Sequence, residues 1–176
     1  AFTQSFYQTL CFAKLGPVLD TLTYLKHETD VWVEITTLLI PGQNDSPQEV
    51  RLLSEWVLSE LGPDVPLHFT AFHPDFKMMD TSATPESTLL SARKIALDIG
   101  LNYVYVGNVH HIEGASTYCP NCSTLLIERD WHELGHYELA QNACHSCGTH
   151  IPGILPDQKG QWGRRRLPIQ LNDFPE

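Results

Sequence analysis

Val31-Trp-Val-Glu-Ile-Thr-Thr-Leu-Leu-Ile40, then Pro41-Gly-Gln-Asn-Asp45, then Ser46-Pro-Gln-Glu49, is the stretch on which the fold turns. The first ten residues are β-branched, aromatic and aliphatic, too short and dense for an amphipathic helix, so they predict a buried strand. The Pro-Gly-Gln-Asn-Asp segment is a turn. Ser46 and Glu49 form an S-x-x-E capping box with Pro47 at the first helical position. Strand, turn and capped helix in that order are one half of a parallel βαβ unit.

The pattern repeats on either side. Val18, Leu19, Leu22 and Leu25 recur at helical spacing between Gly16 and Glu28. Val50, Leu53, Trp56, Val57 and Leu61 give the helix after Ser46 a broad apolar face, which Gly62-Pro63 ends. Pro66 to Phe72 predicts a second strand, and Thr84-Pro85 opens a helix with Leu89, Ala92, Ala96 and Ile99 on its face and Gly100 as its stop. Tyr103 to Val109 predicts a third strand. The fold class is therefore α/β with parallel strands. Three such strands make a poor complete domain, which points to part of a larger sheet or barrel. No internal repeat is evident.

Alternation along the strands sets Val31, Val33 and Ile35 against Glu34 and Thr36. It likewise sets Leu67, Phe69 and Ala71 against His68 and Thr70, and Val104 and Val106 against Tyr103 and Tyr105. Each strand thus has a greasy side for helices and a side carrying polar groups. Ligands of parallel α/β folds bind beyond the carboxyl ends of the strands. Asn44, Asp45, His73, Asp75, Lys77, Asn108, His110 and His111 gather there, although loops are polar in any case. His73 stands out because it follows a strand directly and precedes Pro74.

The clearest chemistry lies further on. Cys119-Pro-Asn-Cys122 and Cys144-His-Ser-Cys147-Gly148 are separated by 21 residues. Two Cys-x-x-Cys turns at this separation complete a tetrahedral four-thiolate shell, which suits zinc and leaves no position open to water. Iron in a rubredoxin-like site is the second metal that four thiolates suit, and separate redox dithiols are a weaker alternative. His132, His136, His145 and His150 rank below the cysteines as substitute ligands, and Cys11 reads as a small buried apolar residue.

Composition bounds the rest. Twenty-one carboxylates against 11 basic residues give a formal net charge of −10, which argues against broad nucleic-acid binding. The basic run Arg164-Arg165-Arg166 reads as solvated tail. No stretch approaches the ~18–20 apolar residues of a membrane helix, and the start is not a signal peptide. Paired cysteines suit a reducing compartment, so a cytoplasmic protein is expected. The expected layout is a partial barrel over 1–112, a four-cysteine metal-binding knob over 113–155 and a tail over 156–176.

Three segments carry a family resemblance: Glu34-Ile-Thr-Thr-Leu-Leu-Ile-Pro-Gly-Gln-Asn-Asp45, Pro66-Leu-His-Phe-Thr-Ala-Phe-His-Pro-Asp-Phe-Lys-Met-Met-Asp80, and Tyr103-Val-Tyr-Val-Gly-Asn-Val-His110 leading to Tyr118-Cys-Pro-Asn-Cys122. They resemble the radical S-adenosylmethionine enzyme of the AmmeMemoRadiSam system, related to pyruvate formate-lyase activating enzymes. The resemblance implies the C-terminal half of a partial (β/α)6 barrel with a zinc-ribbon-like appendage. It also implies a [4Fe-4S] cluster that cleaves S-adenosylmethionine to a 5′-deoxyadenosyl radical, for an unknown substrate that could be a protein. The family holds that cluster with C-x3-C-x2-C, and no such triplet occurs here. The resemblance makes the chain begin just after the fourth barrel strand, carry the fifth, the sixth and the knob, and lack radical chemistry alone. It assigns adenosylmethionine contacts to Thr3, Gln4 and His73, with Ala71 where the activating enzymes have proline. A zinc-stapled interaction module without catalysis is the alternative. A hydrolase using His73 with Asp45 or Asp75 lacks any nucleophile motif.

Overall fold

A computed structural model describes residues 1–160; the Arg164–Arg166 run and most of the expected tail lie outside the described residues. The chain forms two compact units, Ala1–Ala115 and the segment from Ser116 onward.

The first unit holds α1 (Gln4–Thr9), α2 (Leu15–Glu28), β1 (Ile35–Leu39), α3 (Pro47–Trp56), β2 (Leu67–Ala71), α4 (Glu86–Ile99), β3 (Val104–Gly107) and α5 (Ile112–Ala115). The strands are parallel and stand in chain order, β1-β2-β3. The Ser46 hydroxyl accepts from the Glu49 amide to cap α3, as the capping box predicts. The same helix continues into a π-helical turn, Val57–Leu61, which Gly62 ends at φ 89. Gly100 closes α4 at φ 117, where a side chain would be strained.

Leu39, Leu67, Phe69, Ala71, Val104 and Val106 pack on Val50, Leu53 and Val57 of the α3 segment and on Leu89, Ala92 and Ala96 of α4. Both crossover helices therefore cover one face of the sheet. The other face carries Thr36, Leu38, His68, Thr70, Tyr105 and Gly107, all exposed or half-buried. Alternation thus reads the faces of β2 and β3 correctly except at Tyr103, which precedes β3 and is buried, and β1 starts later than the sequence pattern suggests. Val31 and Trp32 are exposed and unpaired in the sheet, and Thr37 and Leu39 form the buried side. Three parallel strands stand where the family resemblance accounts for two, a fifth and a sixth.

Two polar side chains tie the carboxyl ends of β1 and β2. Buried Asn44 accepts from the Ile40 amide and donates to the Leu38 carbonyl, at 2.7 and 2.9 Å. Buried Thr84 accepts from the Phe72 amide at 2.9 Å and donates to the Leu39 carbonyl at 2.6 Å. Thr84→Val keeps the shape and orphans both backbone groups. We expect a loss of about 2–4 kcal/mol of stability by chemical denaturation.

The second unit is small and antiparallel. Its β4 (Thr117–Tyr118), β5 (Leu125–Asp130) and β6 (Glu133–Tyr137) make one sheet, and β7 (Leu139–Ala140) pairs with β8 (Ala143–Cys144). The β7–β8 turn places Gln141 and Asn142 at φ 50 and 61, the double left-handed geometry of a two-residue hairpin. Asn142 then donates to the Ile151 and Gly153 carbonyls and accepts from Leu155, fastening the chain that follows.

Candidate metal centre

Each cysteine pair sits on a backbone turn of the same construction. In the first, the Ser123 amide donates to the Cys119 carbonyl at 2.9 Å, and the Cys119 amide to the Thr124 carbonyl at 2.9 Å. In the second, Gly148 donates to Cys144 at 2.8 Å, and Cys144 to Thr149 at 2.9 Å. Ser123 and Gly148, directly after the second cysteine of each pair, both have positive φ, 60 and 74. This conformation turns the chain back so that two sulfurs face one point.

The four Sγ atoms lie within 4.8 Å of one another. Cys119 and Cys147 are 3.5 Å apart, and Cys122 and Cys144 are 3.7 Å apart. A tetrahedral ion with sulfurs at ~2.3 Å sets its ligands ~3.8 Å apart, so the observed spacings fit a single ion. A four-iron cluster with one thiolate per iron spreads its sulfurs over a larger cage, and these four do not fit it. They are the group of metal-ligand geometry found among the described residues.

The repeat extends one residue type further than the cysteines. Thr124 and Thr149 stand two positions after the second cysteine of each pair, and each hydroxyl lies 3.2 Å from that sulfur. To a thiolate the hydroxyl can only donate. These threonines were missed in the sequence, although the aligned hexamers Cys119-Pro-Asn-Cys-Ser-Thr124 and Cys144-His-Ser-Cys-Gly-Thr149 share a C-x-x-C-x-T pattern, which corrects the reading that the chain holds no internal repeat. The Thr149 hydroxyl, with its backbone amide, holds the Cys147 thiol down at about 5. Thr124 likewise lowers Cys122, whereas burial pushes Cys119 up to about 11.

This asymmetry sets a pH dependence. At neutral pH, without metal, Cys119 keeps its proton and Cys147 has already lost its own. Metal binding needs both as thiolates, so it displaces the Cys119 proton. Affinity then rises with pH by at least about tenfold per unit between about pH 6 and 8. It falls more steeply below about pH 5, where Cys147 also takes up a proton. Competition against a chromophoric chelator across that range checks the sign and slope.

The remaining residues singled out in the sequence do not join this group. His145 Nδ1 lies 3.1 Å from the Glu138 carbonyl, and His136 lies 3.9 Å from the Glu138 carboxylate. His111, just before α5, accepts through Nδ1 from the Gly114 amide at 2.8 Å, a local bond at the helix start. Cys11 is exposed beyond the end of α1, because that short helix buries none of its residues, which corrects the buried reading. Asn44 is buried in its own loop, and the Asp45 and Asp75 carboxylates accept from the nearby Gly42 and Phe76 amides. Lys77 lies over the exposed Phe76 ring, and Asn108 donates to the Ala71 carbonyl. Thr3 caps α1 by accepting from Phe6, and the Gln4 side chain accepts from Leu15. His73 is exposed past the carboxyl end of β2.

No family model matches the chain. An uncharacterized protein of Methanocaldococcus jannaschii is 43% identical over 152 residues, which span 85% of this chain and 45% of that protein. The chain therefore spans about half the length of this relative. Among solved structures, a domain of pyruvate-formate lyase-activating enzyme from Bacteroides vulgatus shares the fold. It has a TM-score of 0.51 and 20% identity, over 60% of this chain and 61% of that one. Among the described residues no helix is long and apolar enough to cross a membrane.

Proposed function

We propose that this chain is the C-terminal part of a radical S-adenosylmethionine enzyme of the activating-enzyme kind, related to that of the AmmeMemoRadiSam system. The observation that supports the reading is the first unit's sheet: parallel strands in chain order with the crossover helices on one face and polar side chains on the other. That is the construction of an arc of a barrel, in which ligands bind beyond the carboxyl ends of the strands. The fold shared with an activating-enzyme domain points the same way.

In this reading the second unit is a structural zinc site, since its sulfurs fit one ion and leave no open position. A [4Fe-4S] cluster, which would supply the electron that cleaves adenosylmethionine, belongs to a C-x3-C-x2-C triplet in another part of a longer protein. Of the proposed adenosylmethionine contacts, His73 has its side chain exposed, while Thr3 and Gln4 would have to give up local bonds. Adenosylmethionine and a protein substrate are the proposed partners.

The test is metal and product analysis. The 176-residue chain is expected to carry about one zinc and no iron–sulfur absorption. Joined to a half bearing the triplet, it is expected to bind about four irons and to release 5′-deoxyadenosine on reduction with adenosylmethionine. Iron and sulfide in the short chain would overturn the assignment of the four cysteines. A longer protein that binds no iron would select a zinc-stapled interaction module, which the self-contained metal knob also favours.

A further inference from the structure

Outside the metal centre, one group of side chains on the uncovered face of the sheet is organised beyond what the fold requires. Glu34 immediately precedes β1, and His68 and Tyr105 are register partners on β2 and β3. His68 Nε2 lies 2.8 Å from one Glu34 oxygen, and the Trp32 indole N–H donates to the other at 2.8 Å. The His68 ring stacks on Tyr105 with centroids 5.0 Å apart and planes 28° from parallel.

The bond to Glu34 uses Nε2 of His68 and leaves Nδ1 outside it. Both side chains of the pair are partly open, 29% for His68 and 46% for Glu34. A pair this exposed adds little to stability. Both faces of a parallel sheet are ordinarily covered and apolar, so a paired polar cluster on one of them points to recognition rather than to folding.

The structure assigns this face, we infer, a binding site for the ammonium group of a small organic substrate. Two features agree on that chemistry. The partly open Glu34 carboxylate attracts positive charge, and the Trp32 and Tyr105 rings offer faces that favour a cation. Thr36 and Thr70, on the same face of β1 and β2, add hydroxyls beside it. An anionic group would meet Glu34 and be repelled. The assignment goes beyond the proposed function and stands whether or not a radical enzyme contains the chain.

The test is a titration of the metal-loaded chain with butylammonium, butanol and butyrate, followed through the ring signals of His68 and Tyr105. Saturable shifts are expected with butylammonium, weaker ones with butanol and none with butyrate. Glu34→Gln and His68→Gln should each raise the half-saturating butylammonium concentration by about fivefold or more, while the amide signals of Phe69 and Leu89 stay unchanged. Absence of saturable shifts, equal response to butyrate, or unaltered binding by both variants overturns the assignment.

Discussion

Cys119→Ser is expected to cost the second unit its fold. Cys119 is 2% exposed and lies 3.5 Å from Cys147, so a shorter and harder hydroxyl cannot restore the ligand shell. Among the described residues, the buried apolar residues of this unit beyond its cysteines are Leu126, Ile127, Leu139 and Ile151. So small a core cannot offset the conformational entropy of the strands around it. Structural zinc contributes about 10–16 kcal/mol in the smallest comparable modules, and that energy is folding energy. Metal content should fall from about one ion per chain to below ~0.1, and amides of β5 and β6 should lose hydrogen-exchange protection. Chelation of the unaltered protein should reproduce the result, with β2 and α4 still protected in both cases. Full protection of β5 in a metal-free protein would show that the sulfurs are not what holds this unit.

Phe69→Ala should have the largest effect on the first unit. Phe69 is fully buried at the centre of β2, the strand flanked on both sides, among residues of α3 and α4. Removing its ring takes away the transfer energy and leaves a cavity under two helices, at a cost of about 3–5 kcal/mol. Domains of this kind are stable by about 5–15 kcal/mol, so the variant would be marginal. A lower denaturation midpoint at unchanged slope is the expected result. His68→Ala, one residue earlier and on the opposite face, should change stability by about 0.5 kcal/mol or less. Equal losses at 68 and 69 would contradict an uncovered polar face.

Much of this was legible in the chain itself. The clustering of the four cysteines follows from spacing, because a Cys-x-x-Cys turn brings its own two sulfurs together whatever surrounds it. The helices show in their periodic apolar faces, and α3 in its capping box, since both depend on neighbours within a few residues. The two faces of β2 and β3 follow from alternation for the same reason.

What the tertiary structure decided depended on a partner. The Val31–Glu34 stretch has the composition of a strand, yet β1 begins at Ile35, where the amide donates to the Pro66 carbonyl and pairing with Leu67 starts. A strand is only as long as the neighbour that receives its hydrogen bonds. Cys11 has the chemistry of a buried residue but no surface to be buried against. The bridge through Thr84 joins groups 12 and 45 residues away, and the Glu34–His68 pair joins residues 34 apart. Local patterns carry no record of such distant contacts. The sequence by itself determined which side chains could bind a metal and which faces were apolar; parallel pairing in register decided which polar side chains meet on the uncovered face.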